Sequence, residues 1–225
     1  EAAEKAYVTA GRMNDAANAV EQRAELADGK AQASLLAHAA ELLAQAGDSS
    51  GAIMRLERAA EIDPTNDKYF QTLEEQYRAA NRLSDLVQVL LSRAEKLNDR
   101  PRRTAARRSA AEVQRALGDR EGARESLLLL LSDGDEAGAL TLLVDDAAER
   151  GDYQECVELL RRLGAIAHTP EDKLRIALRE AGLLAESIQD VDGAIERYEN
   201  ILKTLAPKSR EALAALGKER VDVVV

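Results

Sequence analysis

Gly47-Asp48-Ser49-Ser50-Gly51 has the Gly-x-Ser-x-Gly spacing of a hydrolase nucleophile elbow, where a strained strand-to-helix turn offers a serine to a histidine supplied from elsewhere. That chemistry needs a strand before the serine, but the preceding residues read LLAHAAELLAQA, a helical pattern. The same slots read GDREG at Gly118 and QDVDG at Gln189, so one recurring turn accounts for all three, with Ser49 as a turn residue. His38 and His168 are the two histidines, and they lie in different repeats without a Cys or carboxylate at ligand spacing, which leaves a metal site little to stand on. Asp133-Gly134-Asp135-Glu136 lacks the spaced oxygens and closing Glu of a calcium loop; it is expected to open a helix, whose N-terminus favours negative charge. Cys156 is the one cysteine and has no internal disulfide partner, so a small buried side chain is expected there. No glycine-rich phosphate loop occurs. These readings point to a non-enzymatic chain that needs no cofactor and no metal.

Charge supplies the remaining local anomaly. Arg100, Arg102, Arg103, Arg107 and Arg108 precede any acid until Glu112, a cluster that could hold a phosphate, a carboxylate-rich peptide or RNA. It contains no aromatic to stack a base, and the chain as a whole carries a net charge of -10, which opposes a long polyanion. A phosphate- or nucleic-acid-binding module centred on this cluster is therefore the alternative function, and a helix start neutralised by neighbouring acids the plainer expectation. No apolar run reaches the roughly 18 residues of a membrane span, and no signal peptide is evident. The chain opens at Glu1 without a Met, so removal of an upstream segment is expected.

What would position these residues is a repeat. Gly47 to Pro64 reads as a turn followed by one amphipathic helix, stopped by the proline. Setting that unit along the chain puts its turn residue at Gly11, Gly47, Asn81, Gly118, Gly151 and Gln189, separated by 36, 34, 37, 33 and 38 residues. Five residues on stand Ala16, Ala52, Leu86, Ala123, Cys156 and Ala194; nine on stand Val20, Leu56, Leu90, Leu127, Leu160 and Tyr198. Both columns are apolar, and the small residues admit a neighbouring helix closely. A second helical pattern precedes each turn, so each repeat is a helical hairpin. Aromatics at 3% and no Trp suit such stacking better than one bulky core. The tail over 221–225 is β-branched where helix and turn are expected.

The chain resembles the tetratricopeptide repeat family of helix-pair solenoids. Gly47 to Pro64 matches the second half of that repeat, Ala181-Gly182 and Leu216-Gly217 echo its Leu-Gly pair, Tyr7 and Tyr77 fill its first-helix Tyr slot, and Tyr198 its second-helix aromatic slot. Arg107 departs from the pattern in place of the first aromatic, as do Arg23 and Arg93 in place of the second Ala. The resemblance implies an all-α, right-handed superhelical solenoid of tandem hairpins. About five complete repeats are expected, over 30–66, 67–102, 103–135, 136–172 and 173–208, with partial ones at 1–29 and 209–225. It further implies a protein-binding scaffold, a piece of a longer repeat protein, whose first helices line a concave groove for a peptide or helix of a partner.

Residues six before each turn read Lys5, Glu41, Glu75, Glu112, Asp145 and Leu183, an acidic column flanked by Arg78, Arg108, Arg115 and Arg179. A partner presenting basic residues would suit it. The Lys and Asn with which the family's co-chaperone members hold a terminal carboxylate are not matched, since Asn is absent from these columns. Leu128 and Leu129 fill second-helix slots that hold Glu57-Arg58 and Glu199-Asn200 in other repeats, and Leu91 shares the column of Leu128. An outward apolar patch is expected there, offering a partner surface or a route to homo-oligomers, as would the cut repeat ends.

Overall fold

A computed structural model describes residues 1–222, with side-chain surroundings as far as Lys218. Among the described residues there is no strand. Helices follow one another as hairpins: α1 (Ala2–Thr9) with α2 (Met13–Ala24), α3 (Gly29–Gln45) with α4 (Ser49–Ile62), α5 (Asp67–Ala79) with α6 (Leu83–Lys96), and α7 (Arg100–Ala116) with α8 (Arg120–Ser132). Then come α9 (Ala137–Arg150) with α10 (Tyr153–Ile166), α11 (Pro170–Leu183) with α12 (Val191–Asn200), and finally α13 (Arg210–Asp222). Positions 221 and 222 continue α13, while 223–225 of the β-branched tail lie outside the described residues. The chain divides into two compact units, the first Glu1–Ser126 and the second from Leu127 onward.

The turn column explains the hairpins. Gly11, Gly47, Asn81, Gly118, Gly151 and Gln189 all have positive φ, between 54° and 83°. This left-handed residue reverses the chain and lets the next N–H reach back to an otherwise orphaned carbonyl. Arg12, Asp48, Arg82, Asp119 and Asp152 each donate, at 2.9 Å, to the carbonyl five residues earlier. The aspartate after the turn then caps the second helix: Asp48 accepts from the N–H of Gly51 at 2.8 Å, Asp119 from Gly122 at 3.0 Å, Asp152 from Glu155 at 3.1 Å and Asp190 from Gly193 at 3.0 Å. Ser49 is the first residue of α4 behind that cap, with a helix on both sides of the turn and no strand for a nucleophile elbow.

The sixth turn differs. Asp190 donates to the carbonyl of Leu184, six residues back instead of five, because Leu184–Ile188 form a π turn that absorbs one extra residue. One residue of the 38-residue spacing is taken up here. It also slides the register of α11: buried Leu143 and Ala147 stand eight and four residues before Gly151, whereas buried Glu180 and Leu184 stand nine and five before Gln189. Counting back from Gln189 therefore misplaces this helix by one, and the slot assigned to Leu183 belongs to Gly182.

In the first unit the core joins Ala16, Val20, Leu36, Ala39, Ala52, Leu56, Phe70, Leu73, Leu86 and Leu90, which include members of both columns read from the sequence. In the second, Val157, Ala177, Ala181, Ala194, Tyr198, Ile201 and Ala212 pack together. Fully buried alanines bring successive helices close, so dispersion contacts replace the bulk that aromatics would have supplied. Cys156 is fully buried with its Sγ 3.5 Å from the Val144 carbonyl, and burial pushes its thiol up.

Candidate protein-binding surface

The polar residues of the first unit sort into those satisfied internally and those left outward. Arg23 donates to Glu4 at 2.6 Å, and His38 Nε2 lies 2.8 Å from the other oxygen of the same carboxylate. The His38 hydrogen bond, followed by its charge and that of Arg23, holds Glu4 below its usual range against the opposing effect of burial. Arg93, where the repeat would have a small residue, is buried with its guanidinium 3.9 Å from the Phe70 ring centroid and paired to Asp67. Tyr77 is fully buried and donates its hydroxyl to Glu57; burial first, then that hydrogen bond, pushes the phenol up.

The Arg cluster lies in the first turns of α7 and is tied into the fold. Asp99 caps the helix by accepting from the N–H of Arg102 at 3.0 Å, and Arg102 Nε stands 3.5 Å from Asp67. Arg103 donates to the carbonyls of Leu97 and Asn98 at 3.0 and 3.3 Å. These contacts serve the α6 to α7 connection, and the phosphate or nucleic-acid alternative gains no support from them.

The acidic column behaves otherwise. Glu41, Glu75 and Glu112 occupy one slot on α3, α5 and α7, and all three are exposed. Lys68 at the start of α5 and His38 each lie 3.6 Å from Glu41. Arg78 is held along its own helix by Glu74 at 2.8 Å, and Arg108 and Arg115 are exposed on α7. In the second unit Asp145 is paired with Arg179 at 3.1 Å across α9 and α11, so this acid has its counter-charge within the chain.

Of the leucines, Leu128 and Leu129 are 36% and 49% exposed, while Leu127, Leu130 and Leu131 on the same helix are buried. Leu91, expected in the outward patch, is half-buried and packs against the core of the first unit. Asp135, read as a helix opener, pairs with Arg162 through Nε at 3.0 Å, and Glu136 takes the N-cap position of α9. No group of His, Cys, Asp and Glu among the described residues could hold a metal ion, and no helix is long and apolar enough to cross a membrane.

One arrangement escaped the sequence reading. In the second unit the buried carboxylate of Glu180 on α11 lies between Arg161 of α10, whose Nε donates to Oε1 at 2.8 Å, and Arg197 of α12, whose Nε lies 2.7 Å from Oε2. The signal was present as a lone Glu on the apolar face of LRIALREAGLL before an overlong spacing, but only the π turn reveals which column Glu180 occupies.

No family model matches the sequence, and no curated protein does. Among solved structures the chain is similar to the C-terminal part of a TPR repeat-containing protein from Cytophaga hutchinsonii, at 15% identity over 95% of this chain and 84% of that one, with a TM-score of 0.42. It is similar to a tetratricopeptide repeat protein from Parabacteroides merdae at 14% identity over 98% and 84%, TM-score 0.40. With pilF of Pseudomonas aeruginosa it shares 15% identity over 96% and 94%, TM-score 0.44. The turn column, the capped second helices and the paired packing make the described chain a tetratricopeptide-like array of helical hairpins.

Proposed function

We propose that this chain is a non-enzymatic scaffold whose first unit holds a basic segment of a partner protein along α3, α5 and α7. The observation that carries this reading is the exposure of Glu41, Glu75 and Glu112 at one slot of three successive first helices, beside arginines such as Arg78 that already have partners on their own helices. Outward charge of one sign steers an oppositely charged segment and fixes its register more than it adds affinity. Recognition of a peptide or helix by an array of rigid helices fits the same picture.

The test is fluorescence anisotropy at low salt with a labelled Lys/Arg-containing peptide and its Gln-substituted counterpart. Glu75→Lys combined with Glu112→Lys should weaken capture of the basic peptide by about tenfold or more while leaving helicity unchanged. Equal binding of the basic and neutral peptides, or no effect of the double reversal, would remove this face from consideration.

A further inference from the structure

The slot of Glu180 is an apolar core position elsewhere: eight residues before the turn, other repeats hold Ala39, Leu73, Ala110 and Leu143, all buried. The π turn brings Glu180 into that column. A carboxylate in a core is costly unless it is paired and hydrogen-bonded, and here the pairing is incomplete. Arg161 supplies one bond, but Arg197 Nε approaches Oε2 off the line of its N–H, so Oε2 and this Nε, both buried, hold no hydrogen bond. Both guanidiniums thus meet Glu180 through Nε, and the terminal nitrogens of both have no hydrogen bond among the described residues. Those nitrogens are the half of the fork that binds a planar anion bidentately.

Arg161 and Arg197 line a cavity of about 500 Å³ between α10, α11 and α12, with Lys173, Asn200 and Thr204 adding polar walls and Gly164, Ala165 and Leu205 an apolar one. Three cations face one carboxylate in this lining, and Glu196 stands at an adjoining recess, so the site is locally positive in a chain of net charge -10. We propose that this cavity receives an acidic side chain of a partner polypeptide, with Arg161 and Arg197 holding its carboxylate and Glu180 orienting the two arginines from below. A monoanionic carboxylate suits the site better than a phosphate dianion, because the buried charge of Glu180 repels the second negative charge more strongly. The apolar wall fits the aliphatic stem of a Glu. The site lies in the second unit, and its residues are separate from the acidic column of the first.

The experiment is calorimetric titration of the full chain with a synthetic peptide alternating Glu, Ala and Leu, its Gln counterpart, and inorganic phosphate. The Glu peptide should bind and the Gln peptide should bind at least about tenfold more weakly. Arg161→Gln should cost a similar factor and should also lower the melting temperature, because the buried Glu180 carboxylate loses its one hydrogen bond; Arg161→Gln combined with Glu180→Gln, which removes that stranded charge, should melt near the parent and still bind weakly. Glu180→Gln keeps a side-chain acceptor for the arginines and removes a negative charge beneath the ligand, so it should keep or strengthen binding; loss of binding in a folded Glu180→Gln protein would overturn the proposal. So would equal binding of the Glu and Gln peptides, indifference to Arg161→Gln, or phosphate binding tighter than the peptide.

Discussion

At the scale of single residues, two departures from the repeat show how side chains absorb local cost. Gln189 takes φ 62°, a conformation that costs a non-glycine residue roughly 1–2 kcal/mol. Glycine removes that strain but loses about 0.5–1 kcal/mol of chain entropy on folding, so Gln189→Gly should raise stability by up to about 1 kcal/mol in a urea titration. Tyr77 illustrates the opposite balance. Its ring is fully buried and its hydroxyl satisfies Glu57, so Tyr77→Phe keeps the packing and loses one charge-assisted hydrogen bond, costing about 1.5–3 kcal/mol. The variant should also be less sensitive to alkali than the parent. Because the folded phenol is pushed up, the parent's extra stability is complete below the unfolded tyrosine value near about pH 10 and is lost as pH rises through the folded value.

At the scale of an element, α8 carries five consecutive leucines of which three are buried and two are not. Replacing Leu128 and Leu129 with Glu and Lys should leave the melting temperature within a few degrees of the parent, since neither change buries a charge. Leu130→Glu on the same helix should collapse it, because Leu130 is fully buried and each buried leucine contributes roughly 1.5–3 kcal/mol before any cost of burying the charge. A large loss of stability in the double variant would show that the exposed pair is covered by something in solution, and sedimentation of both proteins would say whether that cover is a second copy.

At the scale of the whole molecule, acids outnumber bases by 41 to 31, and several of the acids are held ionised by the fold. Asp63 is buried and accepts from the Thr65 hydroxyl at 2.5 Å; that bond first, with the charge of Lys30 behind it, keeps its carboxyl below the usual range against the effect of burial. Glu4 is lowered in the same direction by His38. A depressed folded value means that the stability is fully present above the unfolded carboxylate range near about pH 4 to 5, and is lost as pH falls through the folded value. The melting temperature should therefore drop between about pH 5 and pH 3, and Asp63→Asn should flatten that slope. A melting temperature that rises on acidification would show that repulsion among the excess acids outweighs these bonds.

The sequence by itself determined the repeat, the hairpins and their turns, because those depend on local physics that a chain writes in order: a residue that tolerates positive φ, and apolar residues at 3.6-residue spacing. It likewise determined that Cys156 is a core residue, whereas Ser49, expected in the turn, opens α4 just behind its Asp48 cap. It marked Glu41, Glu75 and Glu112 as a column, but exposure depends on the reach of neighbouring arginines, and the pairing of Asp145 with Arg179 across 34 residues was not legible. Nor could Leu91 be separated from Leu128 by sequence, since one column fixes a direction on a helix and not what lies in that direction. Most of all, counting from the turn assumes one residue per helical step. Tertiary structure alone decided where the extra residue of the 38-residue spacing would go, and by placing it in the π turn after α11 it moved Glu180 into the core column between two arginines.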